Sequence, residues 1–133
     1  MSVERALKIQ GWMSEQELGW LSNQARQRQD VVEIGSWKGR STMALTSCAG
    51  IVYAIDHWKG QPGNTSYNKD LNSIGTDGVR QEFCNNLIQE LANRKVFMLN
   101  GDRLEMFNYL REWGTEPEMI FIDGDHRLSL IHI

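Results

Sequence analysis

Several short segments of the 133-residue chain carry the residue types needed to hold a nucleotide-like ligand. The first is Gly35-Ser36-Trp37-Lys38-Gly39-Arg40-Ser41, which follows the apolar run Val31-Val32-Glu33-Ile34. Glycines at Gly35 and Gly39 let backbone N–H groups come close to a ligand carrying negative charge, and Ser41 adds a hydroxyl donor. G-x-x-x-G alone also suits tight packing between a strand and a helix, so this segment needs support from elsewhere. Asp56 supplies it. It ends the run Ile51-Val52-Tyr53-Ala54-Ile55, seventeen positions after Gly39, where nucleotide-binding folds place an acid that accepts from both ribose hydroxyls. A third run, Val96-Phe97-Met98-Leu99, leads into Asn100-Gly101-Asp102, and Asp102 can accept from an adenine amino group or cap the helix that follows. The fourth, Met119-Ile120-Phe121-Ile122, leads into Asp123-Gly124-Asp125-His126.

These residues share one sheet edge only if the four apolar runs are parallel strands. Runs that are apolar on both faces and separated by helical patterns predict that arrangement, an α/β fold with the sheet buried on both sides. Val79, Phe83, Leu87 and Leu91 recur every four residues in one connector. Leu104, Phe107 and Leu110 recur every three in the next, and both predict crossover helices. Asn93 and Gly114 stand where a helix end accepts a left-handed residue. Ser14-Glu15-Gln16-Glu17 has the form of a capping box, with Met13 placed to staple onto Leu18. The helix it starts, with Leu18, Leu21 and Ala25 on one face, reads as scaffold covering the sheet. Lys59 to Gly78, with Pro62 and four glycines, reads as one long loop of the kind that often serves as a lid.

Composition removes several classes of function. Fourteen basic against seventeen acidic residues give a net charge of −3 with no basic run, which argues against nucleic acid. No apolar stretch is long enough for a membrane span, and the start Met1-Ser2-Val3-Glu4-Arg5 lacks the layout of a signal peptide, so a cytoplasmic protein is expected. Cys48 and Cys84 lack metal-type spacing and read as small apolar residues.

Taken together, VVEIGSWKGRSTMAL, VYAIDHWKG, VFMLNGDRLEM and EMIFIDGDH resemble the class I S-adenosylmethionine-dependent methyltransferases over about residues 12–126. The likeness extends to small O-methyltransferases with an I-D-G-D-H segment, a group that includes enzymes acting on sugars of natural products. The resemblance implies a Rossmann-like, doubly wound, mainly parallel sheet that binds S-adenosylmethionine. Glu33 and Gly35 would mark the first motif, with Gly35, Ser36, Gly39 and Ser41 near the amino-acid end of the cofactor. Asp56 would take the ribose hydroxyls, His57 and Trp58 would flank the adenine, and Asp102 would meet its amino group. Trp58 has burial as a core aromatic as its alternative. By the same resemblance Asp123 is a catalytic and magnesium-ligating acid, Asp125 a second metal ligand, with capping of the following turn as its alternative, and His126 the base that deprotonates the acceptor hydroxyl, with a hydrogen-bonded structural role as its alternative. Imidazole suits a base at neutral pH, and carboxylate oxygens suit magnesium.

The expected organisation is an N-terminal helical segment (1–30), a partial S-adenosylmethionine-binding domain (31–126) and an atypical tail (127–133). Such domains normally continue for several more strands and helices, so the sheet is expected to be incomplete on its C-terminal side. The fourth strand would then be an uncovered edge that invites pairing with another chain, including a second copy. The expected activity is O-methylation of a small-molecule hydroxyl of sugar or phenol type. A non-catalytic adenosine-ligand-binding or interaction domain stays open beside it. A nicotinamide-dependent oxidoreductase is disfavoured, because the first turn lacks G-x-G-x-x-G spacing.

Overall fold

The computed structural model describes residues 2–58 and 78–122. In chain order the elements are α1 (Ser2–Leu7), α2 (Glu15–Arg26), β1 (Val31–Ile34), α3 (Arg40–Leu45) and β2 (Val52–Asp56). Helical residues 78–86 (α4) come next. They are followed by α5 (Ile88–Ala92), β3 (Val96–Asn100), α6 (Arg103–Glu112) and β4 (Met119–Ile122). The strands lie in the order β3-β2-β1-β4, with every pairing parallel. Chain progress from β1 through β2 to β3 runs one way across the sheet, and β4 returns to the other side of β1. The strand order therefore reverses beside β1, which puts the ligand crevice of such a fold at the carboxyl ends of the central strands.

Alternation along each strand divides the core in two. Val31, Val52, Ala54 and Val96 face a layer built from Ala6, Leu18, Leu21, Ala25, Met43, Leu45, Phe83 and Leu87. Val32, Ile34, Tyr53 and Ile55 face Met106 and Leu110 of α6. Registry carries the alternation into β4, because Val32 pairs with Ile120 and Ile34 with Ile122. Those two isoleucines, on the α6 side of the edge strand, are 50% and 37% exposed, so α6 leaves this part of the sheet uncovered.

The capping box forms as read: Glu17 N–H donates to Ser14 Oγ at 3.1 Å, and Ser14 N–H donates to Glu17 Oε1 at 2.8 Å. Helix α1 falls inside the expected N-terminal helical segment, although its six residues are too few to show a periodic pattern of their own. Two expectations need correction. Gly114 takes the left-handed conformation (φ 75°), but at the end of α5 Arg94 (φ 64°) takes it instead of Asn93. Asn93 is the helix cap (φ −91°), and its side-chain oxygen accepts from Lys95 N–H at 3.0 Å, which leaves the reversal to the next residue. On α6 the buried positions are Met106 and Leu110, while Leu104 is 55% exposed. Spacing by three drifts around a helix, whereas Met106 and Leu110, four apart, stay on one face. The long loop expected from Lys59 lies outside the described residues until Gly78, where helix is already present.

Candidate cofactor site

At the carboxyl ends of β1 and β2 the chain builds a compact polar cluster around the turn Gly35–Gly39. Asp56, the last residue of β2, is 8% exposed and its two oxygens are held from different segments. Trp37 N–H donates to Oδ2 and Trp58 N–H donates to Oδ1, both at 2.8 Å. A carboxylate has about four acceptor directions, so even with the His57 N–H as a third backbone donor it keeps capacity for a further hydroxyl donor. Burial pushes the Asp56 carboxyl above its ordinary range, while the N–H groups of Trp37, Trp58 and His57 and the His57 imidazole pull it back down. His57 Nδ1 lies 4.0 Å from Asp56 Oδ1, and the His57 side chain is 46% exposed on the same edge.

Both tryptophans that serve Asp56 have left-handed backbones, Trp37 at φ 47° and Trp58 at φ 56°. For a bulky L-residue that conformation costs on the order of 1–3 kcal/mol and persists only where neighbouring contacts hold it. The two are locked together: Trp58 Nε1 donates to the carbonyl of Trp37 at 2.6 Å. The Trp58 ring is fully buried, with Phe83 of α4 5.3 Å away. Of the two roles open to Trp58, core packing is the one this geometry fills.

The glycines of the turn differ from one another. Gly35 (φ 92°) donates its N–H to Ile55 O at 2.8 Å, carrying the β1–β2 ladder one step past the strand. Gly39 (φ 97°) caps α3, and a Cβ there would come within 2.3 Å of Leu87 Cδ2 and 3.1 Å of Phe83 Cδ2. The space of its missing side chain is filled by Leu87 and Phe83, so Gly39 is used at least for packing. Ser36 is 2% exposed, and among the described residues its Oγ is a buried polar atom without a hydrogen-bond partner. A buried hydroxyl left in that state is costly unless something else meets it. It lies in the first turn, one residue before Trp37, whose N–H holds Asp56.

Glu33 is fully buried on β1, and its carboxylate accepts from the hydroxyls of Ser41 and Thr42 on α3. Glu33 and Ser41 are thus engaged with each other, fixing where α3 begins above the strand. Asp102 caps α6, its Oδ2 accepting from Leu104 N–H at 3.1 Å and Glu105 N–H at 3.4 Å. Asp102 is exposed, so capping does not remove it from the ligand edge. Asp123, Asp125 and His126 lie outside the described residues. Among the described residues no group of three His, Cys, Asp or Glu side chains is placed to hold a metal ion, and no helix is long and apolar enough to cross a membrane.

Sequence reasoning missed the cations of the first motif. Lys38 is 3% exposed, and its ammonium meets Gln10 Oε1 at 2.8 Å and Glu82 Oε2 at 2.9 Å. The Lys38 carbonyl accepts from Asn86 Nδ2 at 2.9 Å, so α4 grips the same residue twice. Arg40 donates from Nε and Nη2 to Met13 O at 2.9 and 2.7 Å, and from Nη1 to Ile9 O at 2.7 Å. These bonds sew the connection between α1 and α2 onto the start of α3. The available signal was two cations packed among glycines and hydroxyls, which is unusual for a solvated face. Pattern reading gave them no partner, because the partners come from residues 6–13 and 82–86.

Residues 32–130 match the family described as "Methyltransferase domain". No curated protein matches. Among solved structures the chain resembles the O-methyltransferase from Bacillus cereus in complex with SAH, with a TM-score of 0.68 and 17% identity, covering 98% of this chain and 57% of that one. It also resembles cofactor-bound Rv0187 from MTB, with a TM-score of 0.66 and 22% identity, covering 98% and 53%. A third is the O-methyltransferase TomG from Streptomyces achromogenes, involved in tomaymycin synthesis and in complex with SAM, with a TM-score of 0.63 and 20% identity, covering 85% and 45%. The chain spans about half the length of these structures. At such identities the likeness establishes the fold, a Rossmann-like parallel sheet with flanking helices. The family match spans most of the sequence, and this chain belongs to the methyltransferase-domain family.

Proposed function

We propose that the chain is the S-adenosylmethionine-binding part of a methyltransferase that acts on a small-molecule hydroxyl of sugar or phenol type. The observation that carries this reading is Asp56, a buried carboxylate at the carboxyl end of β2 with acceptor capacity to spare, held by the residue after Ser36, whose buried hydroxyl has no partner among the described residues. A ribose diol needs two acceptors on one rigid group, and Asp56 is held rigidly by backbone donors. The SAH and SAM bound in two of the similar structures support the choice of nucleoside.

S-Adenosylmethionine, when bound, supplies a methyl group on a sulfonium sulfur, so the protein's task is chiefly alignment and proton removal. Asp56 takes the ribose, the Ser36 hydroxyl takes the amino-acid end beside Gly35 and Gly39, and His57 and Asp102 lie on the adenine side. Glu33 serves indirectly by holding Ser41 and Thr42, and with them the helix that backs the turn. His126 is assigned as the base for the acceptor hydroxyl. Asp123 and Asp125 are assigned as oxygen ligands if magnesium takes part, Asp123 also as a catalytic acid. The acceptor is the only further partner this reading requires.

A thermal-shift experiment with S-adenosylhomocysteine and NAD tests the reading. A ligand that binds only the native state at about 100 times its Kd adds about 2.7 kcal/mol of stability. S-Adenosylhomocysteine is expected to raise Tm and NAD to leave it unchanged; the reverse pattern overturns the assignment.

A further inference from the structure

The methyltransferase-domain match begins at residue 32, leaving the first 31 residues outside it, and the sequence gives them only a covering role. The structure places part of them at the ligand edge. Arg40 draws the carbonyls of Ile9 and Met13 onto the start of α3, and Gly11 allows the close approach, since a Cβ there would come within 2.5 Å of Arg40 Cδ. Gln10 reaches the Lys38 ammonium at 2.8 Å. Trp12 stacks on Trp37 with ring centroids 4.3 Å apart and an interplanar angle of 29°.

Trp37 is the residue whose N–H holds Asp56 Oδ2, and it does so from a left-handed backbone that a tryptophan would not adopt unaided. Its ring is fixed by Trp12 and by the Lys38 ammonium 4.7 Å from the ring centroid. If those contacts are released, the backbone can relax to negative φ, the N–H swings off Oδ2, and the carboxylate loses one of the backbone donors that orient it.

We propose that Trp12 and Gln10 are positioning residues for the cofactor site, acting on Asp56 through Trp37 and Lys38. The proposal rests on the S-adenosylmethionine reading above and extends the site to residues outside the matched domain. The N-terminal segment is then part of the binding apparatus, and the matched domain without it should hold the nucleoside poorly.

The test titrates S-adenosylhomocysteine calorimetrically into the full 133-residue chain as wild type, Trp12→Ala, Trp12→Phe and Gln10→Ala, with apo Tm measured for each. Trp12 is 59% exposed, so its truncation should leave the apo Tm close to wild type. Affinity should fall roughly two- to tenfold in Trp12→Ala, the equivalent of one aromatic pair, and recover in Trp12→Phe. Gln10→Ala should weaken binding in the same sense and serves as the independent arm if Trp12→Ala does not fold. Unchanged affinity in Trp12→Ala and Gln10→Ala overturns the positioning role and leaves the cofactor assignment standing. A loss that follows apo Tm, with no recovery in Trp12→Phe, also overturns it and makes Trp12 scaffold. Wild type that does not bind S-adenosylhomocysteine removes the cofactor assignment, and this inference with it.

Discussion

Glu33 lies one residue before the end of β1 and Asp56 at the last position of β2, and water scarcely reaches either, at 0% and 8% exposure. Their partners differ in kind. Glu33 takes hydroxyl donors from the next helix, so its hydrogen bonds join strand to helix within one βα unit. Asp56 takes backbone N–H groups from two turns at the sheet edge, one belonging to the β1–α3 connection and one to its own. The position along the strand decides the use. A residue inside the strand is roofed by the helix, whereas one at the carboxyl end faces the crevice where the strand order reverses. An acid of the first kind holds the fold together, and an acid of the second kind is available to a ligand.

Glu33→Ala is expected to show the largest effect. It strips two buried hydroxyls of their acceptor and opens a cavity in the central strand, for a loss of about 3–5 kcal/mol. Urea unfolding measures it, and a variant of native stability would break the contrast between the two acids.

Asp56→Ala should leave more of the stability intact while weakening S-adenosylhomocysteine about 10- to 100-fold, as expected from charge-assisted hydrogen bonds worth about 1.5–3 kcal/mol. The pH dependence sharpens this. Because burial raises the Asp56 pKa, its stabilising contribution is fully present below the ordinary carboxylate value of about 3.9 and is lost as pH rises through the folded value. Wild-type stability relative to Asp56→Asn should therefore decline as pH rises from about 4. Ribose hydroxyls favour the ionised acid, so ligand affinity should rise over the same interval. Opposite slopes in urea melts and in binding titrations would be strong support; parallel slopes would count against a ribose contact.

Asp102→Ala is expected to be the mildest. Loss of the cap should cost about 1 kcal/mol, read from the same unfolding curves. Any accompanying fall in S-adenosylhomocysteine affinity would show that capping and adenine contact coexist; stability loss alone would place Asp102 with Glu33 as a residue of the fold.

The strands and the polar residues that end them were legible because both follow from local pattern. An apolar run of four or five residues bounded by glycine or aspartate marks a buried parallel strand and its carboxyl end together. Cap chemistry was equally readable at Ser14, where donor and acceptor are three residues apart. Lys38, Arg40 and Trp37 escaped, since their partners are about 20 to 50 residues away in sequence. The recurrence of Leu104, Phe107 and Leu110 marked the helix but not its buried face, which Met106 and Leu110 form.

By itself, then, the sequence determined which residues end each strand and that the sheet is parallel, as alternation, run length and turn chemistry act over a few neighbouring positions. Tertiary structure alone decided how those residues are used. It turned Glu33 onto α3, put the Trp58 ring against Phe83 and filled the space at Gly39 with Leu87. It also brought Gln10 and Trp12 to the edge that holds Asp56. These outcomes depend on which distant groups reach a buried polar atom first, and no local spacing encodes that.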